Sequence, residues 1–380
     1  MIEFRNLKKQ YLVLKNEIDE AICDVINNTN FIDGDKVDEL ETELANYVGV
    51  KHCITCGNGT DALSLALMTW NIGEGDAVFV PDFTFFATGE VVAYNHAVPV
   101  FVDVYEDTYN INVELLEKKI QEVISGGELV PKVIIAVDLF GQPADYVKLR
   151  EVAYKYNMKI LEDSAQGFGG MIHNKKAGSF GDIATTSFFP AKPLGSYGDG
   201  GAIFTDNDEW AEVLQSLHMH GKGSGKYDNI RIGINSRLDT LQAAILLPKL
   251  HAFIKYERDI VNQIAIKYSE CIKDEVKVPI IRDGYISSWA QYTVQIKEEA
   301  ERDSLRKYLS ENGIPSMVYY PKPLHMQRAF KNTRYISENN AISERLCKTV
   351  LSLPMHPYLE ANEQEKIIKK IKEYYNNNDC

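Results

Sequence analysis

The sequence predicts an α/β protein: a mostly parallel sheet sandwiched between helices, followed by a smaller C-terminal α+β unit. Three observations predict it. Short apolar runs alternate with stretches whose apolar residues recur every three or four positions. This alternation holds through roughly the first 250 residues, and a smaller set of elements follows. The polar residues that carry candidate chemistry, at 59–60, 85, 163 and 187–192, fall just past strand ends or in the turn between two strands. The reading therefore divides the chain into an N-terminal arm and larger domain, 1–250, and a minor domain, 251–380.

The elements follow in order. Leu7, Tyr11, Leu14, Ile18, Ile22 and Val25 recur at helical spacing and predict one amphipathic helix in the arm. Val37, Leu40, Leu44 and Tyr47 predict a second, stopped by Gly49. Strands are predicted at 52–55, 77–80, 98–102, 133–137, 158–161, 183–189 and 202–205. Helices are predicted from the Gly57-Asn58-Gly59-Thr60 turn through Met68, and at about 84–94, 112–124 and 145–156. A long helix is predicted from 241 to about 270. In the last third a strand is expected at 290–296 and helices near 299–311 and 362–376.

Composition narrows the function. The net charge of −13 argues against binding a phosphate backbone, which needs a basic face. An anionic ligand still fits if donors are concentrated in a cleft. The first residues lack a charged-then-apolar leader layout, and no apolar run approaches the ~20 residues of a membrane helix. No nucleic-acid or membrane partner is therefore expected. Six cysteines scattered along the chain suggest reduced thiols and a cytoplasmic location. Cys53 and Cys56 have the spacing of a redox or metal pair, but no second pair exists and the segment reads as a strand. His218 and His220 read as polar loop or interface residues, and no metal is expected.

The candidate chemistry centres on Lys192, within Ser187-Phe188-Phe189-Pro190-Ala191-Lys192-Pro193-Leu194-Gly195. A lysine in an apolar, glycine-flanked turn is placed to lose its charge and act as a nucleophile. Upstream, Asp163 ends a hydrophobic strand, placed to hold a cationic ring nitrogen. Gly59 and Thr60 open a helix after a strand, where free amides bind anions. Taken one at a time these are a loop lysine, a helix cap and a simple turn. Together, and in this order, they suggest a pyridoxal phosphate site with a Schiff-base lysine and an acidic partner for the ring. Gln166 is placed to reach the ring's phenolic oxygen, and Ser187 to donate to the phosphate. The aromatics at the turn after the second strand offer a face that could stack on a flat ring, with core packing as the alternative, which Phe86 fits.

These motifs resemble the DegT/DnrJ family of nucleotide-sugar aminotransferases, pyridoxal phosphate enzymes of the aspartate aminotransferase fold, fold type I. The resemblance covers nearly the whole chain and is densest at GNGTDALSLAL, PDFTFFAT, EDSAQGFGG, TTSFFPAKPLGSYGDGGAIFT, IGINSRLDTLQAA and SLPMHP. It implies that Phe85 stacks on the ring and that Gly59, Thr60 and Ser187 bind the phosphate. It implies that Asn235 reaches the phosphate in a neighbouring subunit, which makes a homodimer with shared sites. Within the family the likeness is greatest to bacterial enzymes that aminate carbon 3 of UDP-2-acetamido-2-deoxy-3-oxo-glucuronate for surface polysaccharides such as O-antigen. L-glutamate is the implied amino donor. Arg237 is a candidate for a substrate carboxylate or phosphate, with an interface salt bridge as its alternative. Tyr319 and Tyr320 match the substrate-lining segment, although many members carry histidine at the first position.

Other readings remain. Sugar dehydratases of the family replace the lysine with histidine, whereas this chain has Lys192. Amination of a dTDP- or UDP-linked keto 6-deoxy sugar fits the same motifs. A regulatory or scaffold protein on this fold predicts loss of Lys192 or Asp163, and both are present.

Overall fold

The computed structural model describes residues 2–225, 227–337 and 340–378. The arm holds two helices, α1 (Leu7–Val13) and α2 (Lys15–Asn28), where the periodicity predicts one. The backbone departs from helical geometry at Leu14, with φ −99° and ψ 15°. The apolar face nonetheless continues across the bend: Leu14 and Ile18 pack with Ile245 and Ala252. The bend turns α1 so that Gln10 reaches Glu257 at 2.9 Å. Helix α3 (Asp35–Val48) ends at Gly49, whose φ of 88° is left-handed and suits glycine.

Strands and helices then alternate as expected: β1 (His52–Cys56), α4 (Gly59–Thr69), β2 (Asp76–Pro81), α5 (Ala87–Tyr94), β3 (Val98–Val102), α6 (Val113–Gly126), β4 (Val130–Val137), α7 (Tyr146–Lys155) and β5 (Lys159–Asp163). Two short strands, β6 (Met171–Ile172) and β7 (Lys175–Lys176), form a side ribbon before β8 (Ile183–Ser187) and β9 (Gly201–Thr205). Helix α8 (Asp208–Leu217), absent from the sequence reading, follows. The long helix predicted from 241 divides into α9 (Thr240–Ala252), a π-helical turn at Phe253–Glu257, and α10 (Arg258–Ile272). The last third holds β10 (Tyr285–Ile286), β11 (Tyr292–Gln295), α11 (Glu299–Glu311), α12 (Ala341–Thr349), β12 (Val350–Leu353) and α13 (Ala361–Asn378).

The main sheet has seven strands in the order β1-β9-β8-β5-β4-β2-β3. Only β9 pairs antiparallel with its neighbours, so the sheet is mostly parallel. Successive residues face opposite sides. Val78, Val80, Ile135 and Leu161 join the core under α4 and α5, and Phe79, Val100, Ile134 and Ile160 join the core under α6 and α7. A separate core gathers Tyr268, Tyr292, Leu305, Leu351 and Ile367 around the antiparallel β11–β12 pair. Ile2 joins this core, while Leu324 and Phe330 cross back to the first. Among the described residues no helix is long and apolar enough to cross a membrane.

Leu161 is fully buried two residues before Asp163. Leu161→Ala should cost about 2–5 kcal/mol in denaturant unfolding, because the strand cannot collapse onto the space left. A loss below about 1 kcal/mol would show that this layer is loosely packed.

Candidate active site

The sheet register brings the site together. Val137 lies opposite Asp163 and Asp163 opposite Thr185, so β4, β5 and β8 end nearly level. Gly201 is paired both to Ser187 and to Cys56, which sets the loop leaving β1 beside the end of β8. A cavity of about 650 Å³ opens at these strand ends. Gly59, Thr60, Phe85, Asp163, Gln166, Ser187, Lys192, Tyr319 and Tyr320 all line it. Its volume suits a small-molecule site.

One corner is built for an anion. Helix α4 starts here, and its first-turn amides at Gly59 and Thr60 have no acceptor within the helix. Asn58 caps the helix by accepting the Asp61 N–H at 2.8 Å. A Cβ on Gly59 would fall 2.7 Å from the Ser187 Cβ, so only glycine lets the two approach. Ser236 secures the loop from below: its Oγ accepts the Gly57 N–H at 2.9 Å and donates to Asp61 Oδ2 at 2.6 Å.

Lys192 and Asp163 share the floor. Burial pulls the Lys192 amine below its usual range, Asp163 pushes it back up, and Arg5 lowers it further. The Lys192 N–H donates to the Phe189 carbonyl at 2.8 Å, which closes the turn. Burial raises the proton affinity of the Asp163 carboxyl, against the Ala165 N–H that it accepts at 3.1 Å and the charge of Lys192. Thr88 Oγ1 lies 3.4 Å from its other oxygen.

Aromatic groups form the walls. Phe85 is 53% exposed at the cavity, and Phe86 packs against Phe330 at 5.5 Å, as core. The Tyr320 ring lies 6.2 Å from that of Phe85. Gln166 is buried; its Oε1 accepts the Phe140 N–H at 2.7 Å and its Nε2 donates to the Tyr320 hydroxyl at 3.0 Å.

Asn235 and Arg237 lie apart from this cavity. Asn235 is exposed and forms an antiparallel bridge with Met219. Arg237 lines a different cavity of about 190 Å³ with Asp33, Asp38, Glu41 and His218. His218 is buried rather than on a polar surface, with Nδ1 3.1 Å from the Ser236 carbonyl. Cys53 and Cys56 lie buried on β1, and burial pushes both thiols up, away from thiolate chemistry.

The sequence reading missed three contributors. Thr88 stands one helical turn past Thr84 in the quoted aromatic motif, and that spacing was a usable signal. Ser236 and Arg5 reach the site from 175 and 187 residues away and left no local signal.

The residues present fit pyridoxal phosphate. The amides of Gly59 and Thr60 with Ser187 match a phosphate, the open face of Phe85 matches a flat ring, and the buried Asp163 carboxylate calls for a cation such as a protonated ring nitrogen.

Comparison with known proteins agrees. The model of the DegT/DnrJ/EryC1/StrS aminotransferase family matches residues 13–372. UDP-2-acetamido-2-deoxy-3-oxo-D-glucuronate aminotransferase of Pseudomonas aeruginosa is 43% identical, over 95% of this chain and 96% of that protein. The crystal structure of a DegT DnrJ EryC1 StrS aminotransferase from Brucella abortus is 49% identical with a TM-score of 0.96, covering 98% of this chain and 99% of that one. A putative sugar aminotransferase of Streptococcus pneumoniae in its PLP form is 26% identical with a TM-score of 0.87, over 94% and 95% of the two chains. Fold type I and the pyridoxal phosphate cofactor thus stand as expected, and the chain belongs to the DegT/DnrJ/EryC1/StrS aminotransferase family.

Proposed function

We propose that this aminotransferase moves the amino group of L-glutamate onto carbon 3 of a UDP-linked 2-acetamido-2-deoxy-3-oxo-hexuronate, for a bacterial surface polysaccharide. The observation that carries the chemistry is one cavity holding Lys192, Asp163, the open start of α4 and the exposed Phe85 ring. The choice of sugar is supported by the 43% identity to the Pseudomonas aeruginosa enzyme. Bound pyridoxal phosphate supplies the aldehyde carbon that exchanges the amino group and a ring that takes up electrons.

The chain's own residues divide the work. Asp163 holds the proton on the ring nitrogen. Lys192 would hold the cofactor covalently, and its amine would move the proton at the reacting carbon, which requires the neutral form. Gly59, Thr60 and Ser187 hold the phosphate, Phe85 covers the ring, and Gln166 reaches the phenolic oxygen. Tyr319 and Tyr320 cover the site from residues 251–380, while the cofactor groups come from 1–250.

The substrate and the assembly are linked by charge. Among the described residues lining the cavity, Lys192 is the one basic side chain, beside Asp61, Asp163 and Asp199. A sugar bearing a diphosphate and a carboxylate needs more cations than this. The proposed homodimer adds donors: Arg237 of the partner subunit brings a cation to the sugar, and the neutral amide of Asn235 of the partner subunit completes the phosphate site. The exposure of Asn235, away from its own chain's cavity, supports this. The reading places the enzyme in the cytoplasm, with free thiols at Cys23, Cys53, Cys56, Cys271 and Cys347 in support.

Three outcomes are expected. Borohydride reduction of the holoenzyme and peptide mapping should place the label on Lys192; label on another lysine removes the assignment. Asp163→Asn should keep the cofactor but slow turnover at least 10²-fold, about 2.7 kcal/mol of barrier. Turnover near wild type would show that Asp163 does not hold the ring proton. Arg237→Lys keeps the charge and loses the planar fork. It should cost the uronate about tenfold in kcat/KM, with a much smaller loss for a 6-deoxy analogue. Equal losses would assign Arg237 to the diphosphate or the interface. An outright preference of the wild type for a neutral 4-keto-6-deoxy sugar would overturn the uronate and leave the aminotransferase standing.

A further inference from the structure

The turn that carries Lys192 is gripped from behind by two cations. Arg5, partly buried in the N-terminal arm, donates from Nη2 to the Lys192 carbonyl at 2.7 Å. Lys249, 1% exposed on α9, donates to the Gly195 carbonyl three residues on. Its ammonium also lies 4.7 Å from the centroid of the Tyr197 ring. Both cations take Glu257 as counter-charge. Glu257 is itself 3% exposed and accepts from Gln10 at 2.9 Å and from Tyr358 at 2.6 Å.

Two cations, Lys249 buried and Arg5 partly so, against one carboxylate leave a positive excess at the lysine's turn. Such an excess is costly to bury and is not what packing alone would select. Arg5 is the member closest in bonding to Lys192, since it holds that residue's own peptide. A charged donor on a carbonyl is among the stronger hydrogen bonds, and it fixes the backbone from which the amine projects.

We propose that Arg5 is a positioning residue for Lys192: it anchors the lysine's peptide through the carbonyl oxygen and sets a guanidinium charge against the turn from which the amine projects. This rests on the reading of Lys192 as the Schiff-base lysine. The groups lining the cavity with Lys192 are Asp61, Asp163, Asp199, Tyr319 and Tyr320. Of these, Asp163 favours a charged lysine, and Arg5 opposes it. Burial draws the Arg5 guanidinium down to about 10, with Glu257 and Tyr319 pulling it back up, so it remains charged at neutral pH. His356, on the same side of the arm, is pulled down to about 4 by burial, Arg5 and Lys9, and adds no charge there.

The test titrates the holoenzyme's visible absorbance with pH in wild type, Arg5→Met and Arg5→Lys. Borohydride mapping to Lys192 comes first, so failure of the lysine assignment is seen separately. In Arg5→Met the midpoint should rise about one pH unit, roughly tenfold in proton affinity. In Arg5→Lys it should stay close to wild type. An Arg5→Met midpoint matching wild type would overturn the proposal, as would equal shifts in both variants. If Arg5→Met does not take up cofactor, the same shift is read on the cofactor-free chain. There, limiting acetic anhydride across pH, with peptide mass spectrometry of Lys192, reports the free amine. An unchanged Lys192 profile in that measurement also overturns it.

Discussion

A carboxyl group and an amine buried in one cavity set the terms for the rest of this structure. Asp163 and Lys192 enter it from β5 and from the turn after β8. Burial presses each toward its neutral form, and each resists that pressure on the other. Each is thus the other's counter-charge in this cavity. A cation bound beside Asp163 takes over the role of counter-charge, and Lys192 is then free to shed its proton. In the proposed function the cofactor's ring nitrogen would be such a cation. Binding the cofactor and activating the lysine are, on this reading, one electrostatic event.

The sheet makes that arrangement possible by its period of two. Neighbouring acids Glu162 and Asp163 point to opposite faces of β5. Asp163 faces the cavity. Glu162 turns away and accepts amides of Gly178, Phe180 and Gly181, at 2.6 Å for Phe180 and 2.9 Å for Gly181, which ties down the loop before β8. Asp138, just beyond β4, accepts the Tyr146 hydroxyl at 2.8 Å and the Ala144 N–H at 3.0 Å. Burial raises the proton affinity of all three acids. Glu162 spends both oxygens on the loop before β8, Asp138 holds Ala144 and Tyr146 through one oxygen, and Asp163 keeps its carboxyl at the cavity.

Much of this was legible because it is local. Strand cores at 98–102 and 202–205, the glycine stop at Gly49 and helix 299–311 follow from spacing and capping alone. The residues proposed for the cofactor sit within a few positions of strand ends, so finding the strands located the cavity they line. What escaped depends on distant partners. The four-residue run of β12 becomes a strand only against β11, some sixty positions earlier by register from Tyr292 to Leu353. The arm's single periodicity hides the bend at Leu14, which serves the Gln10–Glu257 contact across 247 residues. Helix α8 is a different kind of miss, since Asn207 caps it by accepting the Trp210 N–H at 2.9 Å and acids fill its first turn. That start signal was in the sequence.

The positions that would distinguish one sugar from another are built differently from those that perform the transfer. Lys192 and Asp163 are anchored in or beside the sheet, with their backbone bonded to neighbouring strands or turns. Tyr319 and Arg237 lie on irregular chain outside any helix or strand. The Tyr319 ring lies 6.2 Å from that of Phe4, and the next residue, Arg5, holds the Lys192 carbonyl. Adjacent residues of the arm therefore touch the covering segment and the catalytic turn at once. A sugar pressing on Tyr319 would be felt, through two residues, at the peptide of Lys192. On the proposed roles, substitutions in the arm would reach both the covering segment and the turn of Lys192, while Lys192 and Asp163 themselves stay in place.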